Sequence, residues 1–365
     1  MSAHEELRKK LCLWPIRAPR IPELMELLKT LYSEDEAELL VKVFTAPYQD
    51  AVTSEEAAER ARAPVEEVRR KLDKLASRGL VMRFRHWRDG SIRYSMLPLV
   101  PGVFEFYFSG ELSEDERRKL AELFEKIYRK GLAMEIAASN YPSTRVLPAV
   151  GAVEVGERIE FEHEVLPFEK AAELIKTSYK IALMKCSCRV KNPCRHPVET
   201  CLVFDSSADF MVERGYARYL TPEEAIEVLK KAEEAGLVHI TTNTQRRPQF
   251  ICSCCTCSCL ILRALTEMGN PRAFAKSNFI AERDHSKCIL CGRCIEVCPF
   301  KAHFHHYAHD GEEDRVELIP EKCVGCGLCV HHCPTGALKL VKVRNEVPEE
   351  KPRDAWLRFE MERVH

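Results

Sequence analysis

Eight cysteines toward the C-terminal end form a duplicated pattern: Cys288, Cys291, Cys294 and Cys298-Pro299, then Cys323, Cys326, Cys329 and Cys333-Pro334. Each copy reads C-x2-C-x2-C-x3-C-P, which constrains the chain more tightly than any hydrophobic pattern. At this spacing three thiolates grip one cubane [4Fe-4S] cluster, and the fourth crosses to the cluster of the other copy. The pattern therefore predicts Cys288, Cys291, Cys294 and Cys333 on one cluster and Cys323, Cys326, Cys329 and Cys298 on its partner. The prolines turn the chain away after each fourth ligand, and Gly292, Gly325 and Gly327 let backbone amides approach the sulfurs. A zinc ribbon would use two CxxC pairs and leave four of these cysteines idle.

Seventeen of the eighteen cysteines lie in the second half of the chain, and nine of them form a second constellation. Cys186, Cys188, Cys194 and Cys201 follow C-x-C-x5-C-x6-C, and Cys252, Cys254, Cys255, Cys257 and Cys259 crowd into eight residues. Nine thiols exceed what packing needs. Eight could hold two more cubanes, or four or five could hold one while the rest stay free. Structural zinc and a redox-active thiol site are the other readings. His196 and His239 lie near these cysteines and are candidates for a ligand or proton donor. From Lys185 to Pro197 there are four cations and no acid, a loop suited either to a negatively charged cluster and its redox partner or to solvent.

The first hundred residues have another character. Leu39, Leu40, Val43 and Phe44 share one face of a helix over Ser33–Thr45, Thr53 opens a second helix, and a third carries Val65, Val68, Leu72 and Leu75 between Pro64 and Gly79. Alternation through Met82, Phe84 and His86 leads to an Asp89-Gly90 turn and returns through Ile92, Tyr94 and Met96. Three helices and a hairpin resemble the winged helix-turn-helix domains of bacterial and archaeal regulators, over residues 33–97. Between Pro64 and Arg93 nine cations face four acids. Phosphate contact would use that excess, whereas Glu66 and Glu67 oppose groove entry, and a protein-docking role competes with DNA binding.

The predicted middle region opens after Pro98 and Pro101-Gly102. Ser113 and Glu116 read as a capping box for a helix with a stripe of Leu120, Leu123, Phe124, Ile127 and Tyr128, stopped by Gly131. Val150 to Glu164 alternates like a strand, and Pro167 starts a helix expected to run through Leu174, Ile175 and Ile181 into Lys185. Thr221 and Glu224 cap a helix that ends before Gly236 and returns the chain so that the two thiol groups can meet. Ala302 to Pro320 is an insertion with His303, His305, His306 and His309 followed by acids. It suits a docking loop better than a metal site. The tail carries Trp356, Leu357 and Phe359, which need a surface to pack on, a second subunit among the candidates.

The net charge of −1 gives no global pull toward nucleic acid or an anionic membrane. No apolar run approaches a membrane span and the opening residues lack a secretory h-region, so a cytoplasmic setting is expected, and the chemistry of exposed iron-sulfur clusters favours an anaerobic or strongly reducing cell. No GxGxxG fingerprint or P-loop occurs. Asn140 to Pro148, Cys186-Ser187-Cys188-Arg189, Gly236-Leu237-Val238-His239 and Ile251 to Cys255 together resemble a group of 4Fe-4S ferredoxin-domain proteins of anaerobes. That resemblance implies an α+β multidomain chain: a winged helix over 1–100, a cysteine-rich α/β middle over 101–280, a bacterial-type two-cluster ferredoxin over 281–342 and a tail over 343–365. It further implies electron transfer to or from a partner oxidoreductase, and the cysteines themselves lead to the expectation of two ferredoxin clusters with one or two further [4Fe-4S] clusters in the middle. An oxidoreductase whose middle cluster reduces a substrate, and a redox-responsive DNA-binding regulator, are the alternatives.

Overall fold

The computed structural model describes residues 2–86, 88–158, 165–308 and 313–364. It opens with helices α1 (Ala3–Leu11), α2 (Pro22–Leu31), α3 (Glu34–Val43), α4 (Ser54–Ala61) and α5 (Val65–Ser77), then an antiparallel hairpin of β1 (Val81–Arg85) and β2 (Ile92–Met96). Reciprocal capping boxes, Ser33 with Glu36 and Thr53 with Glu56, start α3 and α4. Val68, Leu72 and Leu75 of α5 are buried, whereas Val65 in its first turn is exposed. Trp87 lies outside the described residues.

Next come α6 (Phe104–Phe108) and α7 (Glu114–Ile127). Ser113 accepts from the Glu116 amide, but the Glu116 carboxylate accepts from the Tyr107 hydroxyl at 2.7 Å, so the expected capping box is only half made. Gly131 does not stop this helix. A wider turn over Tyr128–Leu132 carries it into α8 (Ala133–Ile136), and Gly131 marks a close passage, because a Cβ there would stand 2.7 Å from the Cβ of Pro19.

The centre contains β3 (Thr144–Leu147), α9 (Val150–Arg158), α10 (Ala171–Lys176), β4 (Ile181–Lys185), α11 (Ser187–Lys191), β5 (Glu199–Phe204), α12 (Asp205–Glu213), β6 (Ala217–Tyr219), α13 (Pro222–Glu234), β7 (Val238–Thr242), β8 (Phe250–Cys254) and α14 (Leu260–Thr266). Two expectations fail here. Val150–Arg158 is a helix, because the buried Glu233 carboxylate of α13 accepts from the amides of Val150 (2.6 Å) and Gly151 (3.1 Å) and so caps its start. Residues 159–164 lie outside the described ones. The helix from Pro167 makes one short turn, resumes as α10 and ends at Lys176. Ile181–Lys185 is a strand, because pairing between β5 and β6 decides the ambiguity of a short apolar run.

Six strands form one antiparallel sheet in the order β3-β7-β8-β5-β4-β6. Alternation divides its faces. Val146, Ala182, Met184, Cys201, Val203, Ile240 and Cys254 belong to the core shared with the N-terminal helices. Leu147, Ile181, Leu183, Leu202, Phe204 and Ile251 pack with residues of α10 and α13.

The remaining elements are β9 (Phe279–Arg283), α15 (Arg293–Val297), β10 (His303–His306), β11 (Arg315–Leu318), α16 (Leu328–His331), β12 (Leu338–Lys342) and α17 (Pro352–Met361), with β9 paired to β12 and β10 to β11. The 302–320 insertion is thus a hairpin, and among the described residues its His303, His305 and His306 join no metal-sized group. His309 and 310–312 lie outside the described residues. The tail packs on its own chain: the Trp356 ring stands 4.7 Å from that of Trp14, its indole N–H donates to Gln249 at 3.0 Å, and Phe359 is buried while Leu357 is exposed. Among the described residues no helix is long and apolar enough to cross a membrane.

Candidate metal centres

The C-terminal cysteines line two small cavities, each mixing the two sequence copies. Cys288, Cys291 and Cys294 share one with Cys333. Cys323, Cys326 and Cys329 share the other with Cys298. The crossing is made by α15 and α16, each of which carries the third cysteine of its copy and leads into the Cys-Pro turn. Polar hydrogens point at the sulfurs. Backbone amides of Phe300, Ala302 and His303 face Cys298, with Ala302 N at 3.3 Å, and those of Thr335, Leu338 and Ala337 face Cys333. Arg283 donates to Cys288 (3.3 Å) and Cys294 (3.2 Å). Burial and the Arg283 charge push His303 down to about 4, keeping its ring neutral beside this guanidinium.

Gly325 and Gly327 serve packing. Both have left-handed backbone (φ +71° and +74°), and a Cβ would lie 2.0 Å from Ser277 Oγ at the first and 2.6 Å from Ala152 Cβ at the second. The Cys288 cavity is the more exposed, with Cys291 and Ile289 at the surface, whereas Cys323 and Cys329 are buried.

The central thiols separate into two groups, and strand geometry does the sorting. Side chains alternate across a strand, so Cys252 and Cys254 of β8 lie on one face and Cys255 turns to the other. Cys201 of β5 pairs directly with Cys252. Cys186 caps α11 after β4, Cys188 lies within α11, and Cys259 caps α14. These six thiols line one cavity of about 120 Å³. Each interacts with two others, 186 with 188 and 201, 252 with 201 and 254, and 259 with 188 and 254, which closes a ring. Hydrogen bonds from Cys188 and Cys201, with the charge of Arg189, hold Cys186 well below the usual thiol range. Its neighbours Cys188 and Cys201 are pushed up in turn. Six thiolates cannot share an apolar cavity without cations among them.

Arg189 is the fixed cation. It is 2% exposed and donates to Ser253 O (3.0 Å), to Thr200 Oγ1 and to Cys255 Sγ (3.9 Å), so it stands between the two thiol groups. Lys191 of the same basic loop is also buried and meets Glu125 at 2.8 Å. Half of that loop is therefore interior, while Lys185 and Arg195 remain exposed. The cavity is closed by Ile16, Tyr48, Phe106, Ile136 and Trp356, and Glu105 lines it too, its carboxyl pushed up to about 7 by burial.

The remaining thiols, Cys194, Cys255 and Cys257, gather around His196, with all four ligand atoms within 4.8 Å of one another. Burial and the charges of Arg195 and Arg189 lower the His196 pKa. His239 is not part of this group, because its ring nitrogens are engaged by Ser253 (3.1 Å) and Glu233 (2.9 Å). Among the described residues no three of the six ring thiols, and no three of either C-terminal quartet, come so close together. Thiolates on different irons of a cubane stand further apart than ligands of one ion, so these wider sets suit a polynuclear cluster. Sequence reasoning missed Arg283 and Glu105, for which no spacing signal exists.

Residues 287–337 match the 4Fe-4S dicluster domain family, which makes this an iron-sulfur protein with a ferredoxin-type domain toward its C-terminus. A 71-residue stretch is 31% identical to one subunit of the ion-translocating oxidoreductase complex of Methanosarcina acetivorans, covering 20% of this chain and 27% of that protein. The chain thus spans little more than a quarter of that relative's length. No solved structure matches it.

Proposed function

We propose that the protein relays single low-potential electrons through three iron-sulfur centres to or from a partner oxidoreductase. Cys288, Cys291, Cys294 and Cys333 would hold the outer cluster, Cys323, Cys326, Cys329 and Cys298 the inner one, and the six-thiol ring a third. The observation that carries this reading is the ring itself, a third cavity lined by cysteines, six of them, in the same apolar core as Val324 and Leu328 of the dicluster region. Bound clusters supply one-electron chemistry. The chain's own residues set potential and access: Arg283 and Arg189 offset thiolate charge, and the exposed tip at Ile289 and Cys291 offers a partner the outer cluster. The likeness to one component of an ion-translocating oxidoreductase complex supports docking on a larger redox assembly.

In this reading helices α3–α5 and the β1–β2 hairpin act as a winged-helix docking module over the middle region. Their cations are largely committed: Arg69 pairs with Glu66, Lys71 with Asp35 and Glu67, Lys74 and Arg78 with Glu36, and Arg83 with Asp73 and Glu213. That disfavours a phosphate-binding face. Anaerobic iron and sulfide counting with EPR tests the relay. More than eight irons per chain are expected, because the two quartets account for about eight. Eight irons and an EPR spectrum of two clusters only would remove the third centre.

A second reading, a substrate-reducing enzyme, draws on Glu105, an acid lining the same cavity as the six thiols. It requires small-molecule reduction that is lost in Glu105→Gln while the iron count holds. Equal rates in both proteins would discard it.

A further inference from the structure

We propose that Cys194, His196, Cys255 and Cys257 bind one zinc ion tetrahedrally, through three thiolates and the Nδ1 of His196, as a structural site separate from the iron-sulfur centres. The geometry is that of a single-ion shell. With zinc–sulfur bonds of about 2.3 Å and a zinc–nitrogen bond of about 2.0–2.1 Å, a regular tetrahedron has S···S edges of about 3.8 Å and S···N edges of about 3.6 Å. Here Cys194 Sγ and Cys255 Sγ are 3.8 Å apart, and His196 Nδ1 lies 3.4 Å from Cys194 Sγ and 4.0 Å from Cys257 Sγ.

A cubane does not fit this group, because its thiolates bind separate irons and cannot converge so tightly. Three soft thiolates and one imidazole form a closed four-ligand set of the structural kind, with no position left for substrate. The surroundings agree. Cys255 packs with Ala232 and Leu237 beneath α13, away from the core that contains the six-thiol ring. Two hydrogen bonds already join the loops that would be stapled, Asn192 Nδ2 to Cys257 O at 2.9 Å and Ser258 Oγ to Asn192 O at 2.7 Å. Arg189, donating to Cys255 Sγ, offsets the net negative charge that three thiolates leave on a zinc ion.

Metal analysis of the full chain, purified anaerobically from cells supplied with iron and zinc, tests this. One zinc per chain is expected beside the iron. His196→Ala should lose most of its zinc to a mild chelator with iron content and EPR signals unchanged. His196→Cys should retain the metal and, loaded with cobalt(II), shift its thiolate charge-transfer bands toward a four-thiolate pattern. Full iron without zinc would overturn the zinc site and leave the electron relay standing. A parallel loss of iron in His196→Ala would place these thiols on an iron cluster and overturn it too. A low total iron count with zinc intact would strike only the relay.

Discussion

In the dicluster region three of the four cysteines at each cavity come from one seven-residue stretch, and only the fourth arrives from elsewhere. In the central sheet no stretch supplies a cavity. Cys186 and Cys188 follow β4, Cys201 lies on β5, Cys252 and Cys254 on β8 and Cys259 before α14, so the ring exists only when three neighbouring strands are paired. One site is encoded by local spacing and tolerates its surroundings. The other is encoded by the fold, and its chemistry is as stable as the sheet beneath it. Burial differs at the extreme only: Cys291 is at the surface and no ring thiol is, whereas Cys294, Cys323 and Cys329 are as buried as Cys186, Cys201, Cys254 and Cys259.

The strongest way to break this contrast is Arg189→Met. Removing the buried cation leaves Ser253 O with only the longer bond from the Thr200 hydroxyl (3.4 Å) and the thiols without compensation, at about 3–5 kcal/mol for a broken buried charge pair. If the proposed central cluster is present, the expected outcome is its loss and a lower urea midpoint, with the two dicluster EPR signals retained. Simultaneous loss of all three centres would show that the regions are not independent.

Cys298→Ala probes the point where the local code depends on a remote residue. It should remove the cluster of Cys323, Cys326 and Cys329, about four irons, and spare the cluster of Cys288, Cys291 and Cys294. Iron loss from the latter instead would refute the crossing. A smaller effect sharpens the comparison. Arg283→Gln should keep every iron but move the outer cluster to a more negative potential by on the order of tens of millivolts, because a cation donating to two thiolates is gone. Redox titration with EPR detection reads this directly, and an unchanged potential would deny Arg283 its tuning role.

Much of this was legible in the sequence where the signal is local. The dicluster spacing marks out the cysteines that the structure groups into two cavities, and the helix starts read at Ser33 and Thr53 and the box read at Thr221 are the N-caps of α3, α4 and α13. Legibility failed where a partner decided. Val150–Arg158 is helical because Glu233, more than seventy residues away, caps it, and Ile181–Lys185 is a strand because β5 and β6 flank it. The division of the nine thiols was half available. Once Phe250–Cys254 is taken as a strand, parity alone separates Cys252 and Cys254 from Cys255. The role of Arg189 at the centre of both groups had no sequence signal beyond a basic loop.

The Trp14–Trp356 contact has a consequence for how the protein is made. The walls of the six-thiol cavity come from residues as far apart as Ile16 and Trp356, so the cavity closes only after distant parts of the chain have docked. In the proposed relay, inorganic material of cluster size would have to enter before that docking, or during a reversal of it. Loading of a central cluster would therefore be a matter of timing during maturation, whereas the surface-exposed Cys291 would leave an outer cluster open to repair in the finished molecule.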